Sequence, residues 1–346
     1  MRRIPAQSSQ AKQANELVSR LQQRFVQGLE ALSKDLGSSQ SFAAVEWFRD
    51  EGLHGGGVRY ATADGDLFGR GSVNVSQVHY DEAPEKKLGS ATAISTIIHP
   101  CSPHAPSVHI HISWTEMKSG EGYWRMMADL NPAIENPAAK QQFYDAMKAA
   151  SGEHYDEGIA QGDRYFYIPV LKRHRGVSHF YLEQYNSGDS EKDRTLAAAI
   201  GEAAIDTYLD ILATALKKNT PITEADQAAQ QAYHSLYFLQ VLTLDRGTTT
   251  GLLVHNQNDI GILGSLPAYM NRDLLLSWVE KMPAPQDQLL ASLIAALPTD
   301  NLCLIDDNVK QLLANVSRQH YSKYPEALAM QASGDVIPPT VKNHRE

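Results

Sequence analysis

The hydrophobic and polar positions along the chain predict an amphipathic helix followed by a series of strands. Between residues 17 and 32, apolar residues recur at every third or fourth position, which places them on one face of a helix. Seven later segments are rich in β-branched and aromatic residues, which favour strands. The predicted strands cover residues 71–79, 92–98, 107–115, 163–170, 178–184, 236–244 and 250–255.

Helical periodicity occupies the intervals between these strands, over residues 138–150, 196–212, 286–297 and 307–316. The mixture predicts an α+β fold with a large sheet. The middle of the chain contains no Pro/Gly/Ser-rich linker and no internal repeat, which favours a single domain. We expect an amino-terminal amphipathic helix or arm over residues 1–40, a main domain over residues 41–330 and a flexible tail over residues 331–346.

Residues 99–111 are unusual because they contain four of the thirteen histidines, and a strand pattern begins within them. Side chains on a strand alternate between its two faces. The polar face would carry Ser107, His109, His111, Ser113 and Thr115, and the apolar face Val108, Ile110, Ile112 and Trp114. We expect the apolar face to join the core and the polar face to meet solvent or a ligand.

Composition is typical of a globular chain that can bury a large core: 346 residues, 42% hydrophobic and 21% charged. The net charge of -9 and the scattered lysines and arginines argue against a nucleic-acid partner. Two cysteines cannot form a disulfide framework. No stretch resembles a signal peptide or a membrane span of about 20 apolar residues, so the expected location is cytoplasmic.

The histidine-rich stretch resembles a segment of the aerobic, oxygen-dependent coproporphyrinogen III oxidase family, which reads His-Pro-x-Asn-Pro-x-x-Pro-Thr-x-His. Other pieces of the same family follow in order, and together they cover roughly residues 12 to 290. They include Gly55-Gly56-Gly57 with Arg59, Phe68 to His79, Asp129-Leu130-Asn131-Pro132, Tyr165-Phe166-Tyr167, Arg175-Gly176, Asp245-Arg246-Gly247-Thr248 and Ile262 to Pro267. The chain is thus similar to a divergent member of this family.

This resemblance implies an antiparallel sheet flanked on both faces by α-helices, in a homodimer. It implies that residues 41–330 form the catalytic domain, and that the substrate is a porphyrinogen with four propionates. Two of these propionates become vinyl groups, CO₂ is lost and O₂ is consumed. The reaction requires no cofactor, since O₂ is a co-substrate.

The resemblance also assigns roles to residues at matching positions. Asp129 would accept the pyrrole N–H groups, although an aspartate before Leu-Asn-Pro can also cap a turn or a helix. His109 stands at the position of the family's site histidine, and a hydrogen-bonded sheet histidine is the alternative. The residues expected to bind substrate are Ser95, His111, Arg175, Asp245 and Arg246. On a strand, Asp245 and Arg246 would face opposite sides, so at most one would reach a ligand.

The chain departs from the family mainly where substrate should bind. His111 replaces an asparagine and Ser113 replaces an arginine, so one carboxylate clamp is missing. Asn256-Gln257-Asn258 replaces a segment that ends in arginine, and Ser178-His179 replaces a glycine pair. These changes remove donors that a substrate with four carboxylates needs.

A divalent metal is a further alternative, because bacterial members of the family have been assigned a site of four histidines. Only His99 and His109 match it, while Tyr144 and Val170 occupy the other positions. His111 lies on the same strand face as His109, so His99, His109 and His111 are the candidate ligands of a replacement site. Ordinary polar-face histidines are the simpler interpretation.

Three hypotheses therefore remain open. The first is a coproporphyrinogen III oxidase that binds the substrate carboxylates through altered anchors. The second is a diverged oxidase that acts on a less carboxylated substrate, either with or without a metal at the new histidines. The third is a noncatalytic protein that binds a tetrapyrrole or another small ligand.

Overall fold

The centre of the molecule is one antiparallel sheet of seven strands, in the order β1-β2-β3-β4-β5-β6-β9. The computed structural model describes residues 1–62, 65–336 and 339–345. The sheet strands are β1 Ala43–Phe48, β2 Gly55–Thr62, β3 Phe68–His79, β4 Leu88–Pro100, β5 Ser107–Met117, β6 Gly122–Asn131 and β9 Ser178–Tyr185. Two small antiparallel pairs lie outside it, β7 Tyr167–Ile168 with β8 Arg173–His174, and β10 Tyr269–Asn271 with β11 Leu302–Leu304.

Helices cover both faces of the sheet, which confirms the predicted α+β architecture. They are α1 Ser9–Asp35, α2 Pro137–Ser151, α3 Tyr155–Phe166, α4 Ser190–Lys217, α5 Glu224–Thr243, α6 Arg246–Val254, α7 Asp259–Ile262, α8 Arg272–Val279, α9 Gln286–Ala295, α10 Asp307–Lys323 and α11 Thr340–Arg345. None of the helices in the described part of the chain is both long enough and apolar enough to cross a membrane.

One face of the sheet packs against α1, α2 and α4. The apolar residues of β5, Val108, Ile110, Ile112 and Trp114, are buried there as the alternation predicts. The stripe on α1 meets them, because Leu21, Phe25 and Leu29 are also buried. Burial of this apolar area is the main stabilising contribution on this side of the sheet.

The other face is covered less tightly. Helices α5, α8, α9 and α10 form their own apolar core, in which Leu239, Leu290 and Leu313 are fully buried. Few sheet residues join that core; Ile97 of β4 is one of them. The polar side chains of β3 to β6 are therefore left between the sheet and the helices, and these strands hold the candidate site.

Three predicted strands are wrong. Residues 163–170 form the end of α3 and the short strand β7, while 236–244 and 250–255 lie in α5 and α6. The apolar run in α5 is buried on all sides, and periodicity does not distinguish such a helix from a buried strand. Its start, Thr223, forms a capping box with Asp226, which is a helix signal. No predicted strand corresponds to β1, β2, β6, β8, β10 or β11.

The last described residues make defined contacts with the body. The Ala332 amide donates to the Leu244 carbonyl at 2.9 Å, and the Gly334 amide donates to Glu183 at 3.0 Å. His344 on α11 is buried. The boundaries at residues 40 and 330, and the flexible character of the tail, stay predictions.

Candidate active site

A cavity of about 240 Å³ lies between the polar face of the sheet and helices α6, α7 and α11. Its floor consists of alternate residues of β3 to β6, most of them small or polar. They include Ser72, Asn74, Ser76, Ala91, Ala93, Ser95, His109, His111, Ser113, Thr115, Tyr123, Arg125 and Met127. Thr340, Asn343 and His344 of α11 form part of the opposite wall. The predicted alternation of β5 therefore points its polar residues into a cavity.

Next to this floor, on the same face of the sheet, lies a buried ion pair between Asp129 of β6 and Arg175. An Arg175 Nη2 group donates to Asp129 Oδ2 at 2.8 Å, and Asn131 donates to the same oxygen at 2.6 Å. Burial alone would raise the pKa of Asp129, but Arg175 and the hydrogen bonds from His109 and Asn131 outweigh it and lower the pKa to about 2. Asp129 is therefore an anion inside the protein.

The turn that carries Arg175 is built to hold its guanidinium in place. The Nη1 group donates to Gln240 Oε1 at 2.6 Å, and the cation lies over the rings of Phe166 and Tyr237, at 4.6 and 4.8 Å from their centroids. Gly176 follows with φ +77°, and a Cβ there would lie 2.8 Å from Asn131 Oδ1. Only glycine fits this turn, which accounts physically for the Arg175-Gly176 motif.

His109 links the ion pair to the cavity. Its Nδ1 lies 3.2 Å from Asp129 Oδ1 and 3.3 Å from Arg175 Nη2. Asp129 Oδ1 has no other donor among the described residues. Since a buried carboxylate oxygen without a donor is costly, we assign the ring proton to Nδ1. The other nitrogen, Nε2, is then an acceptor available to a ligand in the cavity.

Ser95 and His111 lie side by side in the cavity floor, because they are partners across β4 and β5. His111 Nε2 lies 3.0 Å from the Ser113 hydroxyl. Burial, with added repulsion from Arg125 and His109, lowers the pKa of His111 to about 3. His111 is therefore a neutral hydrogen-bonding group at physiological pH.

Arg125 lines the cavity but was not among the predicted site residues; the sequence left open whether it or Arg173 replaces a lost anchor. It lies on β6 directly opposite Ser113 of β5, the position where the resemblance leads one to expect an arginine. Its Nη2 lies 3.4 Å from Glu183, while its buried Nε has no acceptor among the described residues. Arg125 is also the one arginine or lysine that lines the cavity within the described chain. The alternation of residues 122–131 could have revealed it.

Asp245 and Arg246 do not lie on a strand; Asp245 caps α6 and Arg246 is its first residue. Asp245 lines the cavity, but its two oxygens accept hydrogen bonds from the Tyr165 hydroxyl and the Thr248 amide, both at 2.7 Å. Arg246 points elsewhere: it donates to Glu183 at 3.1 Å and to the Ala332 carbonyl at 2.6 Å. Asp245, but not Arg246, is thus part of the cavity wall.

The three histidines considered as metal ligands each contact different hydrogen-bond partners. His99 is buried between the Ser107 hydroxyl at 2.9 Å and the Ser265 carbonyl at 3.1 Å, while His109 and His111 have the partners given above. Across residues 1–62, 65–336 and 339–345, one group of three acidic, histidine or cysteine side chains lies close enough to share an ion. It contains none of these three histidines.

A cavity on one face of an antiparallel sheet, with a carboxylate-backed histidine in its wall, is typical of small-molecule sites. Residues 13–293 match the family model described as Coproporphyrinogen III oxidase, and the chain belongs to that family. The match confirms the resemblance drawn from the motifs.

Three relatives illustrate the degree of similarity. The "Oxygen-dependent coproporphyrinogen-III oxidase, mitochondrial" of Rattus norvegicus is 28% identical over 283 residues, which is 74% of this chain and 61% of that protein. The Homo sapiens protein of the same name is 26% identical over 254 residues, 66% and 55% respectively. The "Oxygen-dependent coproporphyrinogen-III oxidase" of Rickettsia akari (strain Hartford) is 30% identical over 241 residues, 65% and 83%. The chain thus spans about three fifths of the length of its mammalian relatives.

Proposed function

We propose that this protein is an oxygen-dependent oxidase that decarboxylates the propionates of coproporphyrinogen III to vinyl groups, a step of haem biosynthesis. The observation that supports the proposal is a cavity, in a member of this family, that is lined by both Arg125 and His109, with the buried Asp129 in contact with His109. For each propionate, the chain –CH₂–CH₂–COOH and O₂ give –CH=CH₂, CO₂ and H₂O₂. Two electrons and two protons pass to oxygen, so no other oxidant is needed.

Arg125 is the proposed anchor for a substrate carboxylate. A guanidinium binds a carboxylate through two parallel charge-assisted hydrogen bonds. The buried Nε has no acceptor in the described protein, so a carboxylate would supply one. Burial opposes the charge on Arg125, but the neighbouring Tyr181 and Glu183 more than compensate, and the pKa of Arg125 is raised. The anchor is therefore always cationic.

His109 is the proposed catalytic residue, with Nε2 accepting a pyrrole N–H or the proton released as the macrocycle is oxidised. Asp129 is fully buried behind His109, so its proposed role is to position the imidazole and stabilise it when protonated, rather than to touch the substrate. The roles proposed for Ser95, His111 and Asp245 are hydrogen bonds to the ligand from the cavity wall. Arg175 would act through Asp129.

A diverged oxidase for a less carboxylated substrate is the second candidate. One guanidinium lines the cavity in the described residues, whereas coproporphyrinogen III carries four carboxylates. The cavity is also smaller than the roughly 300–1,000 Å³ of typical ligand sites. Admission of a tetrapyrrole would therefore require the cavity to open under either proposal.

We also propose that the protein is a homodimer, that it is located in the cytoplasm, and that it needs no cofactor, with O₂ as co-substrate. Sedimentation equilibrium tests the dimer, and dialysis against a chelator before the assay tests the independence from metal.

The experiment is anaerobic mixing of the purified protein with coproporphyrinogen III, followed by air. Oxygen uptake and chromatography of the products are recorded, in parallel with a porphyrinogen that carries two propionates. Divinyl product from the tetracarboxylate supports the first candidate. Oxygen uptake with the dicarboxylate alone supports the second. Binding of both without oxygen uptake overturns both and leaves a binding protein.

A further inference from the structure

A second cluster of polar side chains lies outside the cavity, where α3, β8 and β9 meet. It consists of Asp163, His174 and His179, one from each of these elements. One ligand atom from each residue lies within 4.8 Å of the other two. None of the three residues lines the cavity, so none of them would touch a ligand bound there.

Hydrogen bonds fix the orientation of both imidazoles. His179 Nε2 lies 2.7 Å from the Arg175 carbonyl oxygen, and His174 Nε2 lies 3.1 Å from the Asp163 carbonyl oxygen. A carbonyl oxygen only accepts, so each Nε2 carries a proton. Histidines that bind metals usually make this kind of outer hydrogen bond, which orients the ring.

The contact between His179 and Asp163 is the second observation that points to a cation. With its proton on Nε2, neutral His179 presents the Nδ1 lone pair to Asp163 Oδ1 at a distance of 3.0 Å. A lone pair and a carboxylate repel each other, so a cation belongs between them. It is either a second proton on the ring or a metal ion.

Packing against neighbouring rings fixes the positions of the His174 and His179 imidazoles. Phe166 stacks on His179 with centroids 5.1 Å apart and planes inclined by 30°, and His174 packs on His179 at 5.2 Å and 34°. His179 is 4% exposed and Asp163 is 57% exposed. One side of the cluster is therefore rigid, while the carboxylate can adjust and solvent can reach an ion.

We propose that Asp163, His174 and His179 bind a divalent transition-metal ion of the zinc class, with solvent as the fourth ligand. In a tetrahedral site with bonds of about 2.0–2.2 Å, ligand atoms lie about 3.3 Å apart. Because the observed donors lie within 4.8 Å of one another, binding at that spacing would draw the less buried Asp163 and His174 toward His179.

The site would have a structural consequence for the cavity. His174 and His179 flank the turn that carries Arg175, and His179 bonds the Arg175 carbonyl. A metal ion at the cluster would tie this turn to α3. It would stabilise the position of the Arg175 guanidinium against Asp129.

The test uses the full chain after dialysis against EDTA, titrated with Co²⁺ and followed by its visible absorption, with Zn²⁺ as competitor. We expect one equivalent of Co²⁺ with the absorption of a four-coordinate ion, displacement by Zn²⁺, and a higher Tm with Zn²⁺. His174→Ala should weaken binding by at least about tenfold. The control variant is His104→Ala. His104 lies next to Asp226, outside the cluster, so this variant should bind Co²⁺ as the wild type does.

Several results would overturn the proposal. Absence of saturable Co²⁺ binding by the wild type would mean that a doubly protonated His179 simply pairs with Asp163. Equal affinity in His174→Ala, or loss of binding in His111→Asn instead, would place the ion elsewhere. If His174→Ala does not fold, Asp163→Asn at the exposed carboxylate serves as the second variant, with the same expected loss.

Discussion

The Asp129 carboxylate and the Arg175 guanidinium lie 2.8 Å apart, and neither side chain is more than 1% exposed. The strand β6 supplies one partner and the turn before β9 supplies the other. His109 contacts both, so the ion pair fixes the orientation of a histidine that lines the cavity. Stability and the proposed chemistry thus depend on the same buried charges.

Loss of Arg175 should be strongly destabilising. Arg175→Met leaves the Asp129 anion buried without its partner, and we expect a loss of about 3–5 kcal/mol in the free energy of unfolding. Urea denaturation measures it. The double variant Asp129→Asn with Arg175→Met should recover part of the loss, because both charges are then absent. If the two single losses simply add in the double variant, the pair is not coupled as described.

Arg125 should control the binding of carboxylated substrates. Arg125→Gln removes one charge-assisted interaction of about 1.5–3 kcal/mol, which corresponds to a rise in KM of about 10- to 100-fold with a smaller change in kcat. Steady-state kinetics with the active porphyrinogen measure it. Arg20→Gln, at an exposed arginine of α1, is the matched control. An unchanged KM in Arg125→Gln would show that the carboxylates bind elsewhere.

His109 and Asp129 should behave as one unit in catalysis. General acid–base groups contribute about 10²–10⁴-fold, so we expect His109→Gln to lower kcat by about that factor. Asp129→Asn should lower kcat as well, and the double variant should be little worse than His109→Gln. Single-turnover rates measure this. Additive losses would mean that Asp129 acts on the substrate independently of His109.

Stability should fall on mild acidification. Burial lowers the pKa of His111 to about 3 and that of His344 to about 4, whereas an unfolded histidine titrates near about 6.5. Below that pH the unfolded chain binds more protons than the folded chain. The contribution of the neutral histidines is therefore complete above about pH 6.5 and decreases toward pH 3, by up to about 1.4 kcal/mol per histidine for each pH unit.

Denaturation at pH 7.5 and at pH 5 measures this dependence, with His344→Gln as the diagnostic variant. The difference in unfolding free energy between the two pH values should be smaller in His344→Gln than in the wild type. Equal differences would show that His344 is not buried in a neutral state.

Particular residues show how far sequence reasoning reaches. The alternation in 107–115 was enough to place His109 and His111 opposite the core face, because a strand has a fixed period of two. Sequence reasoning could not identify the partners of Arg175 and Arg246. Asp129 lies 46 positions from Arg175, and Glu183 lies 63 positions from Arg246, and such pairs depend on strand order and helix packing. Strand register, which no local pattern encodes, likewise put Arg125 opposite Ser113.

The central claim is that coproporphyrinogen III is converted in the cavity above β3 to β6. Its most direct test compares the amount of divinyl product formed by the wild type and by two variants. In Ser95→Phe the new ring would fill the cavity floor beside His111. The control, Thr195→Phe, lies on the exposed face of α4. Product from the wild type and Thr195→Phe, with almost none from folded Ser95→Phe, is the predicted result. Equal product from Ser95→Phe, or no product from the wild type, would contradict the account.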